Sequence, residues 1–500
     1  MVRRGSARGG RTLTLHELLS GVAGVAMTVS DRIEVAGISY DSRRVRPGEV
    51  FFALPGARHD GLAFVAEAVA RGAAAVVSAL PVEAPVPVVR VPEPRAALAH
   101  AACWFYGNPS REMRVVGVTG TNGKTTVTYL LEGVFHRAGW LPGLIGTTGV
   151  HVGDAIEPSA FTTPEAPELQ ALLRTMVDRG VRAVAIEVSS HALVQSRSRG
   201  LDCDVAVFTN LTHDHLDFHG TLERYLDAKL MLFDGRNAPD QPKPLHAVIN
   251  LDDDHAAEVL AAAKRGGATV WTYGEHPEAR VRIDSLAVDA DGLRFDLIES
   301  ARPLSIRFER LGRFNAWNAA AAYASARALG LDPATASEGL IHAPAVPGRL
   351  ERVHEGQAFE AVVDYAHTPD ALHRALAAVR EHARGRVLAV FGCGGDRDRA
   401  KRPHMGSEAE LGADEVWVTN DNPRSEDPLA IAAEILAGMK SVPHVVLDRR
   451  EAIAEALAAA QPGDVVLVAG KGHETEQIFG SERRPFDDRA VAAELLGGRA

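Results

Sequence analysis

Gly117-Val118-Thr119-Gly120-Thr121-Asn122-Gly123-Lys124-Thr125-Thr126 decides the reading of this chain. Ahead of it, Arg114 to Val118 is a short apolar run of strand length. Behind it, Lys124 to Ala138 has the length and pattern of a helix. A strand that feeds a glycine turn opening a helix converges backbone N–H groups and the positive end of the helix dipole on one anion. The stretch therefore predicts a nucleotide phosphate site, built by Gly120, Thr121, Asn122, Gly123, Lys124, Thr125 and Thr126. Lys124 would reach the outer phosphates and the Thr125 hydroxyl would bind Mg²⁺. The strict spacing G-x-x-x-x-G-K-[ST] is not met, because position 118 is valine; the glycine is Gly120 and the loop is shorter.

Working outward, other apolar runs end in polar motifs in the same way. Val181 to Ile186 leads into Glu187-Val188-Ser189-Ser190-His191, where a carboxylate could bind a hard cation near phosphates; a satisfied surface glutamate is the plain alternative. Val205 to Phe208 leads into Asn210-Leu211-Thr212-His213-Asp214-His215-Leu216-Asp217, a packing of His and Asp that suits metal or phosphate work, or a polar loop with an N-capping Asp. In the last third, Asp364-Tyr365-Ala366-His367, Gly392-Cys393-Gly394-Gly395-Asp396-Arg397, Asp421-Asn422-Pro423-Arg424 and Gly470-Lys471-Gly472-His473-Glu474 each follow such a run. Strands alternating with helical segments, and ligand motifs at their carboxyl ends, predict an α/β fold with parallel-rich sheets. Two arginines and acids across the last motifs would suit an amino acid with more than one carboxylate, because guanidinium binds carboxylate in a bidentate fork.

Composition narrows the class. The chain has 500 residues, 46% of them apolar and 24% charged, an ordinary globular balance long enough for about three domains. Fifty-four Lys plus Arg against 65 Asp plus Glu leave a net charge of −11, the wrong sign for a nucleic-acid binder that neutralises phosphates. Three scattered cysteines, Cys103, Cys203 and Cys393, indicate neither a disulfide framework nor a thiolate metal site. No apolar run reaches the ~18 residues of a membrane-spanning helix, and the chain reads as a cytoplasmic protein. Lysines are few: 124, 229, 243, 264, 401, 440 and 471. Lys229 lies in Tyr225-Leu226-Asp227-Ala228-Lys229-Leu230-Met231-Leu232-Phe233, a helical segment. Apolar surroundings favour the neutral amine, which can react with CO₂ to give a carbamate able to bind Mg²⁺. A lysine that snorkels to solvent is the commoner outcome, and the residues alone leave both open.

Taken together these motifs resemble the Mur ligase family, ATP-dependent enzymes that build the peptide of bacterial cell-wall precursors. The resemblance covers nearly the whole chain. It begins with Asp41-Ser42-Arg43 and Pro47 to Leu54, and runs through Gly120–Thr126, Thr162-Thr163-Pro164-Glu165, Glu187–His191, Asn210–Gly220 and Lys229. Gly312–Asn318, Pro347-Gly348-Arg349 and the four late motifs complete it.

It implies three domains: a smaller N-terminal α/β domain over 12–109 for a UDP-linked substrate, a central P-loop ATPase domain over 110–345, and a C-terminal dinucleotide-fold-like domain over 346–500 for the incoming amino acid. Residues 1–11 are expected to be a disordered tail, with hinges near Asn108-Pro109 and Pro347-Gly348. Within the family, Asp41-Ser42-Arg43 and Asp421–Arg424 resemble members that add meso-diaminopimelate to UDP-N-acetylmuramoyl-L-alanyl-D-glutamate. By that likeness, Tyr40, Ser42, Thr162, Thr163, Ser189, Gln195 and Arg197 would hold the UDP-linked substrate. Asn315, Arg349 and Asp364 would join the 120–126 loop on ATP, and Arg397, Asp421, Asn422, Pro423, Arg424, Gly470 and Glu474 would hold diaminopimelate. Lys124, Glu187, His215 and Lys229 would carry catalysis. Thr125, Glu187, His215 and a carbamylated Lys229 would hold Mg²⁺. A monomer is expected. The rivals are a lysine-adding member of the family, set apart by residues 421–424, and folylpolyglutamate synthase, which the Asp41-Ser42-Arg43 module disfavours.

Overall fold

The computed structural model describes residues 13–25, 33–56, 60–159, 161–289 and 292–498. The expected tail, residues 1–11, lies outside them. The chain packs into two compact units. The first comprises 1–273 with 321–340, and the second 274–320 with 341–500. The proposed division at 109/110 falls inside the first unit.

In the first unit a small four-stranded parallel sheet runs in the order Gly37–Ser39, Glu49–Phe52, Ala75–Ser78, Val88–Arg90. Its edge strand Val88–Arg90 lies within a proline-rich segment, which an edge position tolerates. Val50, Phe52, Val77 and Val89 are buried against the helix Pro94–Phe105 and its Leu98 and Ala102. The large sheet of this unit is parallel from Pro142–Gly146 through Ala183–Glu187, Arg114–Thr119, Val205–Phe208 and His246–Asn250 to Thr269–Gly274. Its central strands are buried on both faces, as continuous Val/Ile/Ala runs require. Gly149–Val152 and Ala155–Glu157 extend it as an antiparallel edge.

The second unit holds a six-stranded sheet in the order Glu351–Val353, Glu360–Asp364, Val465–Ala469, Val387–Phe391, Glu415–Val418, His444–Val445. All neighbours are parallel except the first pair. It also holds three antiparallel strands, Val281–Asp289, Gly292–Glu299 and Arg302–Phe308, that the sequence reading passed over. Buried Leu293, Phe295, Leu297, Ile306 and Phe308 alternate there with Arg294, Asp296 and Arg307 on the solvent face, so no continuous apolar run marks them. The helix Phe314–Ala328 spans an alanine-rich segment. Among the described residues no helix is long and apolar enough to cross a membrane.

Candidate active site

Strand order is what assembles the first cluster. Ala183–Glu187, Arg114–Thr119 and Val205–Phe208 are adjacent and parallel, so Glu187, the 120–126 loop and Thr209-Asn210 emerge side by side at their carboxyl ends. The helix after the loop begins at Lys124, with Gly123 at its N-cap and no side-chain cap. Thr209 and Asn210 pin the loop. Thr121 N donates to Asn210 O at 2.8 Å, Asn122 N to Asn210 Oδ1 at 2.9 Å, and Thr209 Oγ1 to Asn122 O at 2.6 Å. The fit needs glycine at 120. Its φ is +147°, and a Cβ there would lie 1.9 Å from Thr209 Oγ1. Lys124 Nζ arches over the loop, donating to Gly120 O at 2.9 Å and Thr121 O at 2.8 Å. Thr125 is buried in the first helical turn.

Glu187 is 1% exposed. Its Oε1 accepts Thr147 N at 2.8 Å and its Oε2 accepts Thr147 Oγ1 at 3.2 Å. The satisfied surface glutamate is therefore not what stands here. Thr147 Oγ1 also lies 3.0 Å from Thr162 Oγ1. Thr163 Oγ1 donates to Glu187 O at 2.7 Å and accepts Ser189 N at 3.1 Å, and Ser189 caps the helix Ser190–Val194. Thr162, Thr163, Ser189 and Glu187 thus form one bonded group, joined by Thr147, which sequence reasoning missed. Gln195 ends the same short helix. Arg197 Nε lies 3.0 Å from Glu165 Oε1, and its guanidinium sits over Phe161. Tyr40 Oη donates to Glu168 Oε1 at 3.2 Å and Ser42 Oγ to Glu67 Oε2 at 2.7 Å, so both hydroxyls stand apart from the Glu187 group. Burial, with Glu168 and Glu165 nearby, pushes the Tyr40 phenol up.

Lys229 is on the helix Leu222–Leu230, 1% exposed. It does not snorkel. Its Nζ lies 4.3 Å from the centroid of the Tyr225 ring, and among the described residues no carboxylate pairs with it. Burial first, and Lys124 second, hold the amine well below the usual lysine range. Tyr225 links this helix to the loop, its Oη 3.2 Å from Thr121 Oγ1. His215 has a left-handed φ of +53° at the start of Leu216–His219, and its ring meets those of His191 and Tyr225 edge-on. Burial lowers the basicity of His215, and that of His191 to about 4. Among the described residues no three His, Cys, Asp or Glu side chains gather as a metal cage. A hydroxyl, one buried carboxylate and a histidine match instead a cation that keeps waters and phosphate oxygens as ligands.

The second unit has its own cluster, again at adjacent strand ends. Asp364 Oδ2 accepts Leu350 N at 2.7 Å, with Arg349 stacked 4.8 Å over Tyr365; burial raises the Asp364 carboxyl and Arg349 opposes it. Asn315 is buried, its amide engaged with Leu311 O and Asn318. Asp421, Asn422 and Pro423 are buried beside Arg424, whose φ is +51° and whose Nη1 donates to Gly395 O at 2.8 Å. Gly470 approaches Asp421 so closely that a Cβ would lie 2.8 Å from Oδ2. Asn422 Nδ2 donates to Glu474 Oε2 at 2.9 Å, while Arg397 Nη1 bonds only Asp396 O at 3.2 Å. Burial, then Arg397, lowers the Arg424 guanidinium from its usual range, so a carboxylate between the two arginines would relieve both. Cys103, Cys203 and Cys393 are buried thiols pushed up to about 12, inert as nucleophiles.

His473 gives a pH prediction for this unit. Burial, with Arg349, Arg489 and His367 facing it, lowers its pKa from 6.5 to about 4. Between those values the unfolded chain binds the proton and the folded chain does not. Stability is therefore lost as pH falls through that window. Urea midpoints at pH 7 and 4.5 should differ less in His473→Gln than in the parent.

The comparisons cover nearly the whole chain. A Mur ligase family catalytic domain matches residues 34–106, a Mur ligase middle domain 118–326, and a Mur ligase glutamate ligase domain 348–472. The chain is 46% identical over 484 residues to the UDP-N-acetylmuramoyl-L-alanyl-D-glutamate–2,6-diaminopimelate ligase of Geobacillus thermodenitrificans, covering 96% of this chain and 98% of the relative. It superposes on a solved structure of a ligase of that name with a TM-score of 0.71 at 34% identity, covering 98% and 99% of the two chains. A Mycobacterium tuberculosis folylpolyglutamate synthase complexed with ADP shares the fold alone, with a TM-score of 0.63 at 20% identity over 80% of this chain and 94% of that one. A glycine loop pinned to its neighbouring strand, a buried glutamate beside it and likeness of this extent leave one conclusion: the chain belongs to the Mur ligase family.

Proposed function

We propose that this chain is an ADP-forming ligase that joins meso-diaminopimelate to the D-glutamate γ-carboxylate of UDP-N-acetylmuramoyl-L-alanyl-D-glutamate, acting as a cytoplasmic monomer. Likeness along nearly its full length to ligases of that name carries the reading. In it, residues 12–109 take the UDP-linked end, 110–345 the ATP and 346–500 the amino acid, and the matched family domains support those bounds.

The γ-carboxylate attacks the γ-phosphorus of ATP, the bond to ADP breaks, and an acyl phosphate forms. The diaminopimelate amine then adds to the acyl carbon, loses a proton, and inorganic phosphate leaves with the amide in place. Little covalent work falls to the protein; positioning and charge compensation do most of it. Gly120–Thr126 cradle the phosphates, and Lys124 exchanges its two loop carbonyls for phosphate oxygens. Asn315, Arg349 and Asp364 are assigned to the nucleotide as well. Tyr40 and Ser42 are assigned to the UDP end, and Thr162, Thr163, Ser189, Gln195 and Arg197 to the muramoyl-dipeptide. Arg397, Asp421, Asn422, Pro423, Arg424, Gly470 and Glu474 take diaminopimelate. Thr125, Glu187, His215 and a carbamylated Lys229 would hold Mg²⁺, which neutralises phosphate charge when bound. The carbamate forms when the neutral Lys229 amine attacks CO₂ and gives up a proton to water. It places an anion near Lys124 where a neutral amine stood.

Phosphate release with UDP-N-acetylmuramoyl-L-alanyl-D-glutamate and ATP tests the reading, comparing diaminopimelate, lysine and no amino acid. Release that depends on diaminopimelate is expected; equal ATP splitting without either partner compound would overturn it. Gly120→Ala should weaken binding of a fluorescent ATP analogue by about tenfold or more, because the strained turn and the Thr209 clash displace the loop. Unchanged nucleotide affinity would show that the loop tolerates a side chain and is not the phosphate cradle.

A further inference from the structure

Lys471 is fully buried, 0% exposed, a state that lysine seldom adopts without partners. Its Nζ reaches Glu476 O at 2.6 Å, Glu474 Oε2 at 3.1 Å and Asn422 Oδ1 at 3.3 Å. An ammonium has three donors, and all three are spent inside the protein. Asn422 Oδ1 also accepts Ile478 N at 3.0 Å, and Asn422 Nδ2 donates to Glu474 Oε2 at 2.9 Å. With two donors facing Oδ1, the amide has one allowed sense. Turned over, its NH₂ would face Lys471 and the Ile478 N–H, and Glu474 would meet a second oxygen. Both internal donors to Glu474 fall on Oε2; among the described residues Oε1 receives none.

We propose that Lys471 is a positioning residue for amino-acid selection. It touches no substrate. It locks Asn422 and Glu474 so that one amide N–H and one carboxylate oxygen remain for a zwitterionic amino-acid head, the N–H for its carboxylate and the oxygen for its ammonium. The backbone bonds of Arg424 to Ile478 and Gly480 stitch the same strand to the 421–424 turn, so the lock extends to the arginine. Lys471 therefore joins three segments, 421–424, 470–474 and 476–480, before any ligand arrives. The inference rests on the ligase reading above and names what fixes its amino-acid pocket.

Lys471→Met keeps the length and apolar stem and removes every donor; Lys471→Gln keeps two of the three donors and the neutral charge of Met. In steady-state phosphate release, Lys471→Met should raise KM for diaminopimelate on the order of 10- to 100-fold, because Asn422 and Glu474 are left unlocked. Lys471→Gln should raise it less. KM for ATP and for the UDP-linked substrate should stay within about twofold, a split that a general folding defect does not produce. An unchanged KM for diaminopimelate overturns the inference. So does an equal change for all three substrates, or failure of both variants to fold, since each makes Lys471 merely structural. A parent enzyme with no diaminopimelate-dependent release removes the ligase reading and this inference with it; a normal parent with unaffected variants removes the inference alone.

Discussion

Lys229→Ala is expected to lower diaminopimelate-dependent phosphate release on the order of 10²- to 10³-fold, the usual cost of losing one preorganised charge contact at a reacting phosphate. Part of the rate should return on adding acetate or formate, small anions that can enter the space the side chain leaves. The argument starts from burial. A lysine 1% exposed, lying against Tyr225, with no carboxylate paired to it among the described residues and Lys124 as a like-charged neighbour, is costly to keep protonated. Burial and Lys124 favour the neutral amine, the form that adds to CO₂. An unmodified lysine could serve only as a neutral filler, and alanine would then cost packing but not chemistry. Rescue by carboxylic acids separates the two; full activity of the unrescued variant removes the carbamate.

The second large effect belongs to Arg424. Arg424→Lys should raise KM for diaminopimelate on the order of 10²-fold or more and leave KM for ATP unchanged. The parent is expected to prefer diaminopimelate over lysine by roughly 10⁴-fold, and in this variant that preference should largely collapse. Its Nη1 is already committed to Gly395 O, which holds the guanidinium plane while the remaining donors stay for a carboxylate. A lysine side chain cannot keep that anchor and offer a fork as well. Diaminopimelate differs from lysine by one carboxylate, so on the proposed reading the arginine pair would lose its counter-charge when lysine binds, and burial and Arg397 already press on Arg424. Unaltered diaminopimelate KM would make Arg424 a structural residue held by its left-handed backbone.

Much of the molecule was legible in order along the chain. Val205–Phe208 forms as a strand over the predicted residues, Arg114–Thr119 and Ala183–Glu187 differ from expectation at their ends alone, and Val387–Phe391 and Val465–Ala469 are the strands that run into the Gly392 and Gly470 motifs. Buried parallel strands are local runs of Val, Ile and Ala between turns, so composition suffices to find them. The three antiparallel strands over 281–308 escaped, because their apolar residues alternate with charged ones instead of forming continuous runs.

What the residues by themselves determined was which segments become strands, where the glycine loop must turn, and what chemistry the polar motifs can hold. Those properties depend on neighbours within a few positions. Tertiary structure alone decided that Glu187 is buried beside Thr147, that Thr209 dictates glycine at 120, and that Lys229 is sealed from solvent. It alone decided that Lys471 unites three loops. Each depends on strand order, which brings together residues tens of positions apart, and no local pattern encodes which strand lies next to which.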